Sequence, residues 1–230
     1  RTHLVRSLDE AAANKRLGSA ALVLVKGGEI TSIDGFGIAN AETQSRVKPD
    51  QTLYRIASVS KAVTAWGVMR LVEEGKLSLD EPVMRHLKRW QFPGSEAYRD
   101  KVTVRQLLSH TSGLDDGLGY GGFGPGETVP SLEESLNLTK DSTVGPPRPV
   151  RVAREPGTSM AYGSGGYAIL QLLIEEVTKR PFADYIKDAV LAPLGMTRSS
   201  FDLDAIAAQG RVQEIASSYD GEVRSQPHRR

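Results

Sequence analysis

Cysteine is absent from the 230 residues, which excludes disulfide staples, thiolate nucleophiles and cysteine metal sites while fitting an oxidising or a reducing compartment equally. Charge of one sign is also lacking. Lys and Arg number 29 against 28 Asp and Glu, a net charge of +1, so there is no electrostatic footprint for nucleic acid or for an anionic membrane surface. No apolar run approaches the ~20 residues needed to span a bilayer. The four histidines, His3, His86, His110 and His228, show no metal-ligand spacing such as H-E-x-x-H. A G-x-S-x-G nucleophile elbow is missing too: Tyr162 stands two before Ser164, and Ala161 two after Ser159. These absences leave a chain long enough for one sizeable core in two lobes, with a small neutral or zwitterionic substrate.

What is present centres on Ser58-Val59-Ser60-Lys61. With a helix beginning at or just before Ser58, a spacing of three returns the Lys61 side chain beside the Ser58 hydroxyl. A serine hydroxyl is a poor nucleophile until a neighbour removes its proton, and an amine does this only when uncharged. Burial disfavours an ammonium, and the Ala, Val and Trp side chains nearby are placed to supply it. The amide of Ser58, at a helix N-terminus, is placed to donate to a developing oxyanion. Two common residue types at this spacing recur by chance on solvated helices. Here the following residues Val59, Ala62, Val63, Ala65, Trp66, Val68, Met69, Leu71 and Val72 predict a helix apolar nearly all round, hence buried. Gly75 is placed to stop it.

Elsewhere Leu4 to Leu17 reads as an amphipathic helix closed by Gly18. Residues 20–25 and 30–33, joined by Lys26-Gly27-Gly28-Glu29, read as an antiparallel hairpin. Val102 to Leu108 reads as a short helix capped by Thr103. The glycine-rich stretch from Gly113 to Gly126 contains Gly119-Tyr120-Gly121-Gly122-Phe123-Gly124, which matches G-x-G-x-x-G by letters only, since no strand leads into it. Asp115-Asp116-Gly117 lacks the later ligands of a calcium loop. Arg148, Arg151 and Arg154 lie in a proline-punctuated segment and read as solvated loop residues rather than an anion site.

Pro156 to Tyr167 is crowded with small residues and leads into the apolar run Ala168 to Val177. Such a loop lets backbone and ligand approach closely. Tyr162 within it is either a proton shuttle between Ser58 and a leaving group, its phenol aided by Lys61, or a packed ring with an ordinary backbone hydrogen bond.

Taken together, Leu53 to Trp66, Leu71 to Val83, Val104-Arg105-Gln106-Leu107-Leu108-Ser109-His110-Thr111-Ser112-Gly113-Leu114 and the Tyr162 loop resemble the serine beta-lactamase-related superfamily. The likeness is to its class C branch of beta-lactamases, DD-peptidases, D-aminopeptidases and family VIII carboxylesterases. The resemblance implies that Ser58 is the nucleophile, Lys61 its base and Tyr162 the proton relay. It also implies that Ser164 contacts substrate, and that neither a metal nor an organic cofactor takes part. Lactam-acting members usually read Tyr-x-Asn where this chain has Tyr162-Gly163-Ser164. A hydroxyl in place of an amide offers fewer hydrogen bonds, which favours esters over efficient lactam turnover.

The fold this implies is α/β of the α+β type, an antiparallel sheet flanked by helices with an inserted helical lobe. Residues 1–230 form one domain, with an α/β lobe over 1–79, a helical lobe over 80–162 and returning helices over 163–230. The superfamily's third motif, Lys-Thr-Gly or His-x-Gly on a C-terminal strand, has no counterpart after Met196. The polar stretch from Phe201 to Arg230 resembles the beginning of a longer protein. The C-terminal strands of the sheet are accordingly expected to come from a second polypeptide or from a further segment of this one. Without them the hairpin exposes an edge and an apolar face. Two functions follow: a serine hydrolase acting on small esters, beta-lactams or D-amino-acid peptides, or a penicillin-binding sensor that acylates and turns over slowly or not at all.

Overall fold

The computed structural model of the chain describes residues 2–115, 123, 127–137 and 148–219, together with the backbone of residues 225 and 226. Helices and antiparallel strands are mixed, as the sequence predicts. The chain divides into two compact units, Arg1–Ile56 with Arg198–Arg230, and Ala57–Thr197.

In the first unit, helix α1 (Thr2–Ala13) is followed by strands β1 (Ser19–Lys26), β2 (Glu29–Asn40) and β3 (Ser45–Arg46), in sheet order β1-β2-β3. Val23 faces Ile33 and Val25 faces Ile30 across the β1–β2 ladder. The turn joining these strands consists of Gly27 and Gly28 at φ 62° and 84°, the left-handed pair that a two-residue hairpin of matching twist requires. All four of those apolar residues are exposed, and β1 pairs with β2 alone among the described strands. The edge and the apolar face expected of the hairpin are therefore both present. Later residues return to this unit. Leu53 bridges Ile215, and the Tyr219 hydroxyl donates to the Ile38 carbonyl. Strand β6 (Ser218–Tyr219) pairs with β7 (Ser225–Gln226).

The second unit is built around helix α5 (Gly165–Thr178), whose Ile169, Leu170, Leu172, Leu173 and Ile174 are fully buried. Helices α2 (Ser60–Glu73), α3 (Val104–Leu108), α4 (Leu132–Asn137) and α6 (Phe182–Ile186) all touch α5. A helix apolar on every side finds its stability only inside such a ring of neighbours. Helix α2 differs from its expectation of full burial. Thr64, Gly67, Val68 and Leu71 are buried, whereas Val59, Trp66 and Met69 are exposed, because α5 and α6 cover one side of it. The stop at Gly75 is as expected: it takes φ 68°, and the Lys76 N–H bonds back to the Leu71 carbonyl.

Helix α3 is capped at Thr103, as the sequence suggests, and the structure shows the cap to be a reciprocal capping box. The Thr103 hydroxyl accepts from the Gln106 N–H while the Gln106 side chain accepts from the Thr103 N–H. Strands β4 (Leu114–Asp115) and β5 (Arg151–Val152) pair beyond it. Helix α7 (Leu203–Ala208) belongs to the first unit and is capped by the Asp202 carboxylate. No described helix is long and apolar enough to cross a membrane.

Candidate active site

The chain approaches α2 through Ala57, whose φ of 45° reverses the backbone, and then through a 3-10 turn, Ala57–Val59. Ser58 therefore sits in the tighter turn that leads into the α-helix rather than in the helix itself. A 3-10 turn brings residues three apart nearly into register, and the effect on the side chains is direct. The Lys61 amine donates to the Ser58 hydroxyl across 3.1 Å. The start of α2 has no side-chain cap, Val59 occupying the capping position, so the cap does not compete for the first-turn N–H groups.

The third residue arrives from the far side of the sequence. The loop before α5 is pinned by two bonds to one residue: the Ala161 N–H donates to the His110 carbonyl at 2.8 Å, and the Gly163 N–H to His110 Nδ1 at 3.4 Å. Tyr162 lies between these anchors, and its phenol interacts with both Ser58 and Lys61. The Ser58 interaction, with that of Lys61 and its charge behind it, holds the phenol below its ordinary value against the opposing effect of burial. The Lys61 amine lies 5.0 Å from the centre of the Tyr162 ring and 5.6 Å from that of Tyr167. Of the apolar neighbours expected to bury the lysine, Val59 and Trp66 are themselves exposed. Lys61 is half-buried, and the rings of Tyr162 and Tyr167 flank its amine.

Ser58, Lys61 and Tyr162 thus converge. Ser164, the fourth residue singled out, occupies the N-cap of α5, where its side chain makes no capping bond and its carbonyl accepts from the N–H groups of Tyr167 and Ala168. Two further members of the cluster are not among the predicted site residues: Tyr167, and His110, which the sequence suggests only as a structural hydrogen-bonding residue. Tyr167 anchors its hydroxyl on the Leu108 carbonyl at 3.1 Å, and His110 stacks its ring on Tyr162 and Tyr167 at 4.5 and 5.3 Å. Their placement depends on α3 and α5 meeting, which no local pattern encodes.

The decoys resolve as ordinary structure where they are described. Arg148 and Arg151 pair with Asp115, and Arg154 donates to the Leu114 carbonyl. Gly119 to Gly122, Gly124, Asp116 and Gly117 lie outside the described residues. A groove of about 910 Å3 on the same unit, lined by Trp66, Met69, Tyr185, Val190 and Leu194 among others, contains none of Ser58, Lys61 or Tyr162. Proximity of hydroxyl, amine and phenol, rather than cavity size, singles out the candidate cluster.

Comparison with known proteins places the chain in a family. A family model described as Beta-lactamase matches residues 4–228. Protein flp of Staphylococcus aureus (strain NCTC 8325 / PS 47) is 29% identical over 182 residues, 79% of this chain and 34% of that protein. PbpX of Bacillus subtilis (strain 168) is 30% identical over 189 residues, 81% of this chain and 42% of its own. The structure of an octameric penicillin-binding protein homologue from Pyrococcus abyssi superposes with a TM-score of 0.77 at 30% identity, covering 99% of this chain and 50% of that one. EstCE1, a hydrolase with promiscuous acyltransferase activity, superposes at 0.76 and 24% identity over 99% of this chain and 59% of its own, a likeness of fold. The chain spans less than two thirds of the length of each of these relatives. With nearly its whole length matched, the chain belongs to the beta-lactamase family.

Proposed function

We propose that this chain carries the nucleophilic centre of a serine hydrolase that acts on small carboxylic esters, and on beta-lactams or D-amino-acid peptides less readily. The observation that carries the reading is the Lys61 amine 3.1 Å from the Ser58 hydroxyl, with the Tyr162 ring centre 5.0 Å from that amine. In the proposed sequence uncharged Lys61 takes the Ser58 proton as Oγ attacks the carbonyl carbon. The Ser58 amide stabilises the oxyanion. Tyr162 passes a proton to the departing alkoxide or amine, leaving an acyl group on Ser58, and water then releases it as the acid. Ser164, at the rim beside Tyr162 in sequence, is assigned to substrate contact. Its single hydroxyl supports the ester preference.

A strand from outside these 230 residues, on the same or a second polypeptide, is proposed to complete the sheet along β1. The support is the exposed β1 edge and the Val23, Val25, Ile30 and Ile33 face. In the full-length protein it would protect the outward amides of β1 from hydrogen exchange.

The test of the chemistry is intact mass of the full-length protein after incubation with an activated ester and, separately, with a beta-lactam. A transient adduct of the acyl mass on wild type with multiple turnovers, absent in Ser58→Ala, supports the hydrolase. A stoichiometric adduct that persists supports instead a slowly deacylating penicillin-binding module. An adduct formed equally by Ser58→Ala removes Ser58 from the reaction.

A further inference from the structure

Helix α3 ends in a left-handed turn that glycine normally occupies. The His110 N–H bonds to the Leu107 carbonyl and the Thr111 N–H to the Gln106 carbonyl, the paired closure in which the intervening residue must take positive φ. That residue is His110, at φ 57°. A non-glycine side chain there is strained, and strain of this kind persists where the surroundings make use of the residue.

The surroundings make four uses of this one. Its carbonyl accepts from Ala161 and its Nδ1 from Gly163, bracketing Tyr162 on both sides. Its ring packs 4.5 Å from the Tyr162 ring and 5.3 Å from the Tyr167 ring. Acceptance at Nδ1 requires the neutral tautomer with the proton on Nε2. A glycine would satisfy the helix end at lower cost, but it offers neither the ring nor the second acceptor.

We infer that His110 is a positioning residue that holds the Tyr162 loop so that the phenol meets Ser58 and Lys61. The inference rests on the reading of Tyr162 as proton relay, and it concerns the aim of the phenol rather than the reaction itself. His110 is not assigned a proton transfer: what it supplies is an acceptor and a stacking surface. A displacement of the phenol by about 1 Å is enough to cost on the order of 10²-fold in rate.

Two substitutions separate the ring from the backbone. His110→Gly keeps the left-handed turn without strain and deletes the acceptor and the ring. His110→Asn also tolerates the turn and places Oδ1 where Nδ1 stood. In the full-length protein His110→Gly is expected to lower kcat on an alkyl ester by roughly 10- to 100-fold with KM within about threefold, and His110→Asn to recover most of that loss. The second readout does not depend on turnover. A spectroscopic pH titration of tyrosinate, taken as the difference from Tyr162→Phe in each background, isolates the Tyr162 phenol. Its midpoint is expected to rise in His110→Gly, as the phenol moves away from Ser58 and Lys61, and to return in His110→Asn. An unmoved midpoint in His110→Gly, or an asparagine no better than glycine in either readout, overturns the inference. A wild type without turnover defeats the catalytic reading, and the titration still decides whether His110 sets the phenol. Should the glycine variant melt below the assay temperature, His110→Ala against His110→Asn makes the same comparison.

Discussion

The Lys61 amine donates to the Ser58 hydroxyl across 3.1 Å, over a backbone that passes from a 3-10 turn to an α-helix between the two residues. Tyr162, from the loop before α5, closes the cluster, its ring centre 5.0 Å from the Lys61 amine. A hydroxyl, an amine and a phenol whose proton is loosened by its neighbours thereby lie in one cluster.

If Tyr162 protonates the leaving group, its importance depends on how poor that group is. Tyr162→Phe is expected to reduce kcat/KM for an alkyl ester by about 10²-fold or more, and far less for a nitrophenyl ester whose phenolate leaves unaided. Steady-state kinetics on the two ester classes checks this. Equal losses on both would remove Tyr162 from proton transfer.

Gly67 lies on the buried face of α2, where an added Cβ would collide with Ile186 Cδ1 and reach Tyr185 Cε1 at 3.4 Å. Alanine improves helix propensity by about 1 kcal/mol, but overpacking costs about 1–3 kcal/mol. Gly67→Ala is therefore expected to lose on the order of 1 kcal/mol. Ile186→Val, which removes the colliding methyl, should recover stability in the Gly67→Ala background and lose about 1 kcal/mol alone. Urea unfolding of the four proteins of the cycle measures the coupling, and simple additivity would contradict the packing argument.

The buried Tyr185 hydroxyl donates to the Gly67 carbonyl at 3.0 Å. Desolvation, reinforced by the Glu74 carboxylate, pushes its pKa up to about 12. The folded state thus holds the proton more tightly than the unfolded chain does. Its contribution is complete below the unfolded value near 10 and disappears as the pH rises towards about 12. Tyr185→Phe is expected to cost about 1 kcal/mol at neutral pH through the lost bond and to flatten this alkaline loss of stability. Denaturant midpoints followed across the alkaline range test it; identical slopes in both proteins would assign the loss elsewhere.

Glu176 is buried on α5, and one carboxylate oxygen accepts from the N–H groups of Lys88 and Arg89 at 2.8 and 2.6 Å. Burial alone would raise its pKa, but the two backbone bonds and the nearby Lys179 and Arg89 charges outweigh it and the net shift is downward. With the folded pKa below the unfolded one, this stabilisation is present above the unfolded value of about 4.3 and lost as pH falls through the folded value. Glu176→Ala is expected to cost about 1–3 kcal/mol at neutral pH by leaving the Lys88 and Arg89 N–H groups without their acceptor, and to shrink the acid loss of stability. Thermal unfolding across the acid range is the measurement, and an alanine variant as stable as wild type would sink the assignment.

Several elements were legible from the residues alone because their causes are local. Gly27-Gly28 dictates a tight hairpin by permitting positive φ twice. Thr103 announces a helix start and Gly75 a helix end. Ser58 and Lys61 meet because three residues of turn leave them no other relation. The burial of α2 was only half legible, since apolar composition says that a helix has two apolar sides without saying what covers each.

By itself, then, the sequence determined the hairpin, the capped helices and the serine–lysine pair, all of which follow from backbone sterics and hydrogen bonds among near neighbours. Only the tertiary structure decided that Tyr162 meets that pair, that His110 takes a glycine's place to stack against it, and that α5 is the helix surrounded on every side. The reason is that these depend on which distant surfaces bury one another, and burial is a property of the packed chain rather than of any window along it.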